Sequence, residues 1–170
     1  MSVIIFRMEE KELENIVMRL RPKMRFFALR MIGDPSMSED MVQDAILSFM
    51  KVFRSKGRRP DNPEAFLMKI VRNRCLDHIR HSSVVTCVPL DAAASKAGVP
   101  QDRLQECRDQ VELVHKAVAK LGENYKTVFI LRDMLGYDMD EIAHIMGAGG
   151  SAVRKMLSRA RKLIRDEFTD

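Results

Sequence analysis

The stretch DMDEIAHIMGAGGSAVRKMLSRARKLIR, residues 138–165, decides the fold. Asp138-Met139-Asp140-Glu141 has the form of a capping box, with Asp where Ser or Thr is usual. Ile142, Ala143, Ile145 and Met146 then give one face of a short helix, which Gly147 ends. After Ala148-Gly149-Gly150, Ser151 is placed to cap a longer helix reaching about Phe168. Two helices joined by a short turn containing Gly form a helix-turn-helix. Ala143 permits a close crossing, and Ile142, Met146, Val153 and Met156 supply the contact between the helices. The second helix carries Arg154, Lys155, Arg159, Arg161, Lys162 and Arg165, with no acid through residue 165. Its outward positions are Ser151, Ala152, Arg154, Lys155, Ser158, Arg159 and Lys162. The first turns of such a helix enter the major groove, where Arg and Lys reach phosphates or guanine edges. An ordinary helical hairpin with a solvated basic face is the competing reading. The charge and the Gly-containing turn together favour DNA.

Working back toward the N-terminus, further helices are legible. From about Glu9 to Met31, the positions Leu13, Ile16, Val17, Leu20, Met24, Phe27, Ala28 and Met31 recur in steps of three and four. Pro22 predicts a kink or a break just before it. Gly33-Asp34-Pro35 ends this element. A second helix runs from about Ser38, as cap, to Phe53, and buries Met41, Val42, Ala45, Ile46, Phe49 and Phe53. A third starts at Asn62-Pro63, read as cap and first helical residue, and runs to about Arg80. Residues 82–108 break every long period with Ser82-Ser83, Pro89, Gly98 and Pro100, and read as a flexible linker. Helices resume near Asp109, with Val111, Val114, Val118 and Leu121 as a stripe ending at Gly122, then Tyr125 to Met134 with Gly136 as a stop. The expectation is an all-α chain of two small helical domains, residues 1–81 and 109–170, joined by that linker.

The 170 residues carry a net charge of +5, and its distribution says more than its size. Residues 34–44 hold Asp34, Glu39, Asp40 and Asp44 and no base. Residues 54–81 hold Arg54, Lys56, Arg58, Arg59, Lys69, Arg72, Arg74 and Arg80 against three acids. Two basic blocks far apart in sequence point to two contacts with one polyanion. The acidic block points to a different partner. No apolar run exceeds four residues, so no stretch approaches the roughly twenty that span a membrane. Glu9, Glu10 and Glu12 argue against a secretory signal. Cys75, Cys87 and Cys107 are odd in number and match no zinc spacing, which favours reduced thiols in the cytoplasm. Cys75, His78 and His81 step by three, but on a helix the first and third diverge by about 120°, so no metal is assigned. No phosphate loop, dinucleotide fingerprint or zinc-protease motif appears, so neither a cofactor nor an enzyme is expected.

The chain resembles the extracytoplasmic-function sigma factors, a compact branch of the sigma-seventy superfamily of bacterial transcription initiation factors. The resemblance covers about residues 12 to 168. It rests on RPKMRFFALRMIGDPSMSEDMVQDAILSFMKVF (21–53), AFLMKIVRNRCLDHIR (65–80), LGENYKTVFILRDMLGYDMDEIAHIMG (121–147) and VRKMLSRARKLIR (153–165). It implies a first domain that docks on the clamp helices of the beta-prime subunit of core RNA polymerase through Glu39, Asp40, Val42, Gln43 and Asp44. The same domain would read the minus-ten promoter element. A base extruded from the non-template strand would be trapped by the loop Lys56 to Asp61, including Arg58 and Arg59, with Lys69 and Asn73. Arg72 and Arg80 would hold the backbone.

The resemblance further implies a second domain that reads the minus-thirty-five element with Ser151, Arg154, Lys155, Ser158, Arg159 and Lys162, and that contacts the polymerase beta flap. An anti-sigma factor is the regulatory partner it implies. Extruding a base costs a few kcal/mol. Capture of that base beside cations holding the single strand offsets the cost without ATP. The chain departs from the family pattern at Gly149-Gly150, Ala152 and Met156, so the upstream sequence preference is not inherited from relatives. Its lack of Trp leaves melting to loop capture. The alternatives are a stand-alone helix-turn-helix regulator with an N-terminal dimerisation or sensing domain, and an interaction protein docking on polymerase without DNA.

Overall fold

The computed structural model describes residues 2–54, 60–82 and 113–169, with side chains from residue 11 onward. All regular structure among them is helical. The expected linker lies outside the described residues apart from Ser82, as do Val111, Cys87, Cys107, Lys56, Arg58 and Arg59. Helix α1 is Ser2–Ile32, α2 is Pro35–Arg54 and α3 is Pro63–Ser82. Helix α4 covers 113–119. Helix α5 (Glu123–Phe129) passes into a π-helical turn at Ile130–Met134, followed by α6 (Met139–Met146) and α7 (Gly150–Glu167).

Helices α1, α2 and α3 pack on one another as a three-helix unit. Met24, Phe27 and Ala28 from α1 meet Val42, Ala45 and Phe49 from α2 and Leu67, Met68, Val71 and Cys75 from α3, all fully buried. The Phe49 ring lies 4.7 Å from that of Phe53 and 6.4 Å from that of Phe66. Of the expected α1 stripe only Val17 stays partly open. Helix α1 runs unbroken through Pro22. The missing amide falls on an exposed position between buried Leu20 and Met24, so tertiary packing on both sides carries the helix across the gap.

The start of α2 corrects the sequence reading. Asp34, not Ser38, caps it: Met37 N donates to Asp34 Oδ1 at 2.7 Å, and Pro35 takes the first helical position, where a missing amide costs nothing. Ser38 is buried inside the helix and its Oγ donates back to the Asp34 carbonyl at 2.6 Å. The α3 cap is as expected, with Ala65 N donating to Asn62 Oδ1 at 3.0 Å.

The second unit packs α5 on α7 and α6 on both α7 and the π-helical turn. Val118, Val128, Ile130, Leu131, Ile142, Ile145, Val153 and Ala160 form its centre. The turn is closed by Leu135 N on the Ile130 carbonyl at 3.0 Å, and Arg132 Nη1 donates to the Tyr137 carbonyl at 2.8 Å. The two units do not stand apart. Helix α6 packs against α3, and the buried apolar residues of both join in one continuous cluster.

Candidate nucleic-acid interface

The helix-turn-helix forms from its own local chemistry. Asp138 Oδ1 accepts from Glu141 N at 2.8 Å, and Glu141 Oε2 accepts from Asp138 N at 2.8 Å, a complete capping box. Gly147 ends α6 in the left-handed region at φ 63, where a side chain would be strained. The cap of α7 differs from expectation. Gly149 occupies it in extended conformation with no side-chain cap, and Ser151 is already inside the first turn. Val153, Leu157, Ala160 and Ile164 face inward at helical spacing. That burial turns Ser151, Arg154, Lys155, Ser158, Arg159 and Lys162 outward, and all six are exposed. Lys155, Ser158, Arg159, Lys162 and Arg165 lie together on the outward side of α7. Arg161 leaves this surface to bind Asp133.

The α3 face is less open. Asn73 is exposed and its Oδ1 accepts from Arg72 Nη1 at 3.3 Å. Arg72 Nη2 also donates to Asn124 Oδ1 at 3.0 Å, and Arg80 Nη2 meets Glu123 Oε2 at 3.1 Å. Lys69 is half-buried, its ammonium close to Gly147. Burial holds the Arg72 guanidinium below its ordinary pKa, with the positive charge of Arg80 acting in the same direction. Arg74, part of the same basic block, donates to Ser48 Oγ of α2 at 3.1 Å. Glu123 and Asn124 were not singled out from sequence; no local signal links them to α3.

On α2, Asp40, Gln43 and Asp44 are exposed on one face with Leu47, which is 59% exposed. Val42 is fully buried, so it supports this ridge from beneath and offers no surface to a partner. Glu39 is already paired across to α1: Arg21 Nη2 donates to its Oε1 at 2.8 Å, and Arg25 Nε lies 2.9 Å from Oε2. The Arg21 hydrogen bond, helped by Gln43 and Arg25, holds the Glu39 carboxyl below its ordinary range against an opposing effect of burial. Met50 and Met139 pack partly buried against the core, and among the described residues Met18 is 70% exposed. Cys75 is fully buried, and among the described residues no three His, Cys, Asp or Glu side chains gather as a metal site.

Two known families match this arrangement in order. Residues 16–84 match sigma-70 region 2 and residues 112–164 match sigma-70 region 4. The chain belongs to the sigma-70 family, in its extracytoplasmic-function branch. Region 2 of this sigma-70 chain is therefore α1–α3, and region 4 is α4–α7. Among curated relatives, "Probable ECF RNA polymerase sigma factor SigI" of Mycobacterium tuberculosis is 32% identical over 82% of this chain and 49% of its own length. The chain thus spans about half of that relative. The RNA polymerase sigma factor CarQ of Myxococcus xanthus is 25% identical over 90% of this chain and 87% of that protein. Among solved structures, the sigma factor RpoE in complex with the anti-sigma factor NepR from Bartonella quintana has the same fold. Its TM-score is 0.69 at 20% identity, covering 94% of this chain and 96% of that one. Among the described residues, no helix of this sigma-70 chain is long and apolar enough to cross a membrane.

Proposed function

We propose that this chain is a transcription initiation factor that docks on core RNA polymerase in the cytoplasm, directs it to a specific set of promoters and nucleates strand opening. It makes and breaks no bonds itself. The observation that carries the reading is the pairing of two sigma-70 regions, in order, with opposite outward charge. Helix α2 of region 2 presents Asp40 and Asp44; helix α7 of region 4 presents Arg154, Lys155, Arg159 and Lys162. The acidic ridge suits the polymerase clamp and would repel DNA; the basic helix suits the major groove of the upstream element. Lys69, Arg72, Asn73 and Arg80 on α3, with Lys56, Arg58 and Arg59 from the sequence between α2 and α3, take the downstream element. There the Asn73 amide can both donate to and accept from an extruded base.

The match of residues 16–84 to region 2 gives the N-terminal half a role of its own. It favours this reading over a stand-alone regulator with a sensing or dimerisation domain. An anti-sigma partner covering the polymerase-facing surfaces completes the proposal, supported by the RpoE–NepR likeness in fold.

Run-off transcription with purified core enzyme tests this reading, comparing wild type, Asn73→Ala and Asp44→Arg. Asn73→Ala should retain core binding and lose open complex. Asp44→Arg should lose core binding. Equal sequence-specific duplex binding with and without core enzyme would overturn the reading.

A further inference from the structure

Helix α7 opens on a glycine that the fold does not demand. Gly150 takes its first position. Its backbone is not left-handed, unlike that of Gly33, Gly136 and Gly147, and glycine in a helix costs stability relative to alanine. The space above it belongs to Arg154. A Cβ at position 150 would lie 3.8 Å from Arg154 Nη1, with no other side chain beyond its immediate neighbours within 4 Å among the described residues. Helical side chains lean toward the N-terminus, and residues four apart share a face. Arg154 follows this rule and lies back over the bare Gly150 backbone, so its guanidinium reaches the leading tip of α7. It is exposed and makes no hydrogen bond or ion pair with the other described residues.

The place of an arginine along a reader helix decides what it meets. The first turns face base edges, whereas positions farther along meet the DNA backbone. Arg159 and Arg165 lie about 7.5 Å and about 16 Å farther along the axis, and Arg161 is held by Asp133. Arg154 is therefore the arginine at the tip. Its planar fork matches the O6 and N7 acceptors of guanine.

We propose that Gly150 is a specificity-determining position of the upstream reader. Its bare backbone seats the Arg154 guanidinium at the tip of α7, where the fork reads one guanine of the upstream element. A larger side chain at 150 turns the guanidinium aside toward phosphates, which carry no sequence information. Arg154 then still adds affinity but no longer adds preference. Gly150 itself touches no base; it is a positioning residue that acts through Arg154. The turn before α7 is also where the chain departs from the family pattern, so this readout belongs to the chain's own residues.

The inference rests on the proposed DNA role of α7. Its test uses holoenzyme, assembled from core RNA polymerase and the full chain, and a promoter library randomised over the upstream element. Sequencing the bound and unbound pools gives the base preference at each position. Gly150→Leu, Arg154→Ala and the double variant are compared with wild type. Wild type should favour guanine at one position roughly tenfold, within the range of a bidentate arginine contact. Gly150→Leu and Arg154→Ala should each remove most of that preference and leave the other positions as they were. The double variant should match Arg154→Ala.

A guanine preference that survives Gly150→Leu overturns the seat. So does a loss spread evenly over every position, since leucine would then obstruct the whole helix. A double variant weaker than Arg154→Ala overturns it too, because leucine would then act without Arg154. Uniform weakening by Arg154→Ala makes Arg154 a phosphate contact and equally ends the proposal. Wild-type holoenzyme with no preference anywhere in the upstream element counts against the DNA role of α7 itself, whereas a selective wild type with unaltered variants counts against Gly150 alone.

Discussion

Arg161 on α7 grips Asp133 in the π-helical turn with two hydrogen bonds, Nε to Oδ2 at 2.9 Å and Nη2 to Oδ1 at 2.5 Å. The pair takes one arginine out of the DNA-facing set and uses it to fix the reader helix against the turn. Simple charge counting and this brace make opposite predictions for Asp133→Ala. Counting says that removing a carboxylate strengthens DNA binding. The brace says that α7 loses its orientation, so affinity for upstream duplex falls roughly two- to fivefold, in line with a partly exposed bidentate pair worth about 0.5–1 kcal/mol. Fluorescence anisotropy at fixed salt decides between them, and a gain in affinity would discard the brace.

Val42 and Asp44 sit two positions apart on α2 with opposite duties. Val42 is fully buried, so Val42→Asp places an unpaired carboxyl in the core at a cost of several kcal/mol. Asp44 is exposed, so Asp44→Arg should leave stability within about 0.5 kcal/mol of wild type. Urea denaturation of the two variants checks both statements. A stable Val42→Asp protein would mean that α2 packs differently.

Glu39 gives the region 2 unit a mild acid sensitivity. Its folded-state pKa lies below the ordinary carboxylate value, chiefly through Arg21. The pairing therefore contributes its full stability above the ordinary carboxylate range and loses it progressively as pH falls from there through the lowered folded value. The side chain is partly exposed, so the contribution is at most about 1 kcal/mol. Glu39→Gln should lower stability at pH 7, and its gap from wild type should shrink as pH falls below the ordinary carboxylate range. A gap that stays constant as pH falls would show that the contribution is not ionic.

What the sequence disclosed and what it withheld follow from range. The stripes of α1 and α2 and the outward face of α7 were legible because a 3.6-residue period is local, and the capping box of α6 because it spans four residues. Asp34 was missed as a cap because Gly33-Asp34-Pro35 looks like an ending, whereas proline is favoured at the first position of a helix. The same three residues close α1 and open α2. Met68, Cys75 and Leu76 are buried in α3 without having been read as core from its sequence. The basic face of α3 was visible as a cluster of like charges; its partners were not. Arg72 and Asn124 are 52 positions apart, and Arg80 and Glu123 43, so no spacing rule connects them. The acceptors became visible only once α6 was seen to pack on α3.

Cys75 offers a probe of the region 2 core. Burial pushes its thiol up to about 12, and the side chain has no exposed surface. The thiolate is the nucleophile, and a thiol of this kind is ionised to the order of one part in ten thousand at pH 8. In a chain with Cys87→Ser and Cys107→Ser, iodoacetamide at pH 8 should react with Cys75 only as fast as the core opens. Alkylation should be slow in buffer and should rise by orders of magnitude across the urea transition, tracking the loss of helical signal. Rapid alkylation in buffer, with the helical signal intact, would mean that α3 turns Cys75 outward.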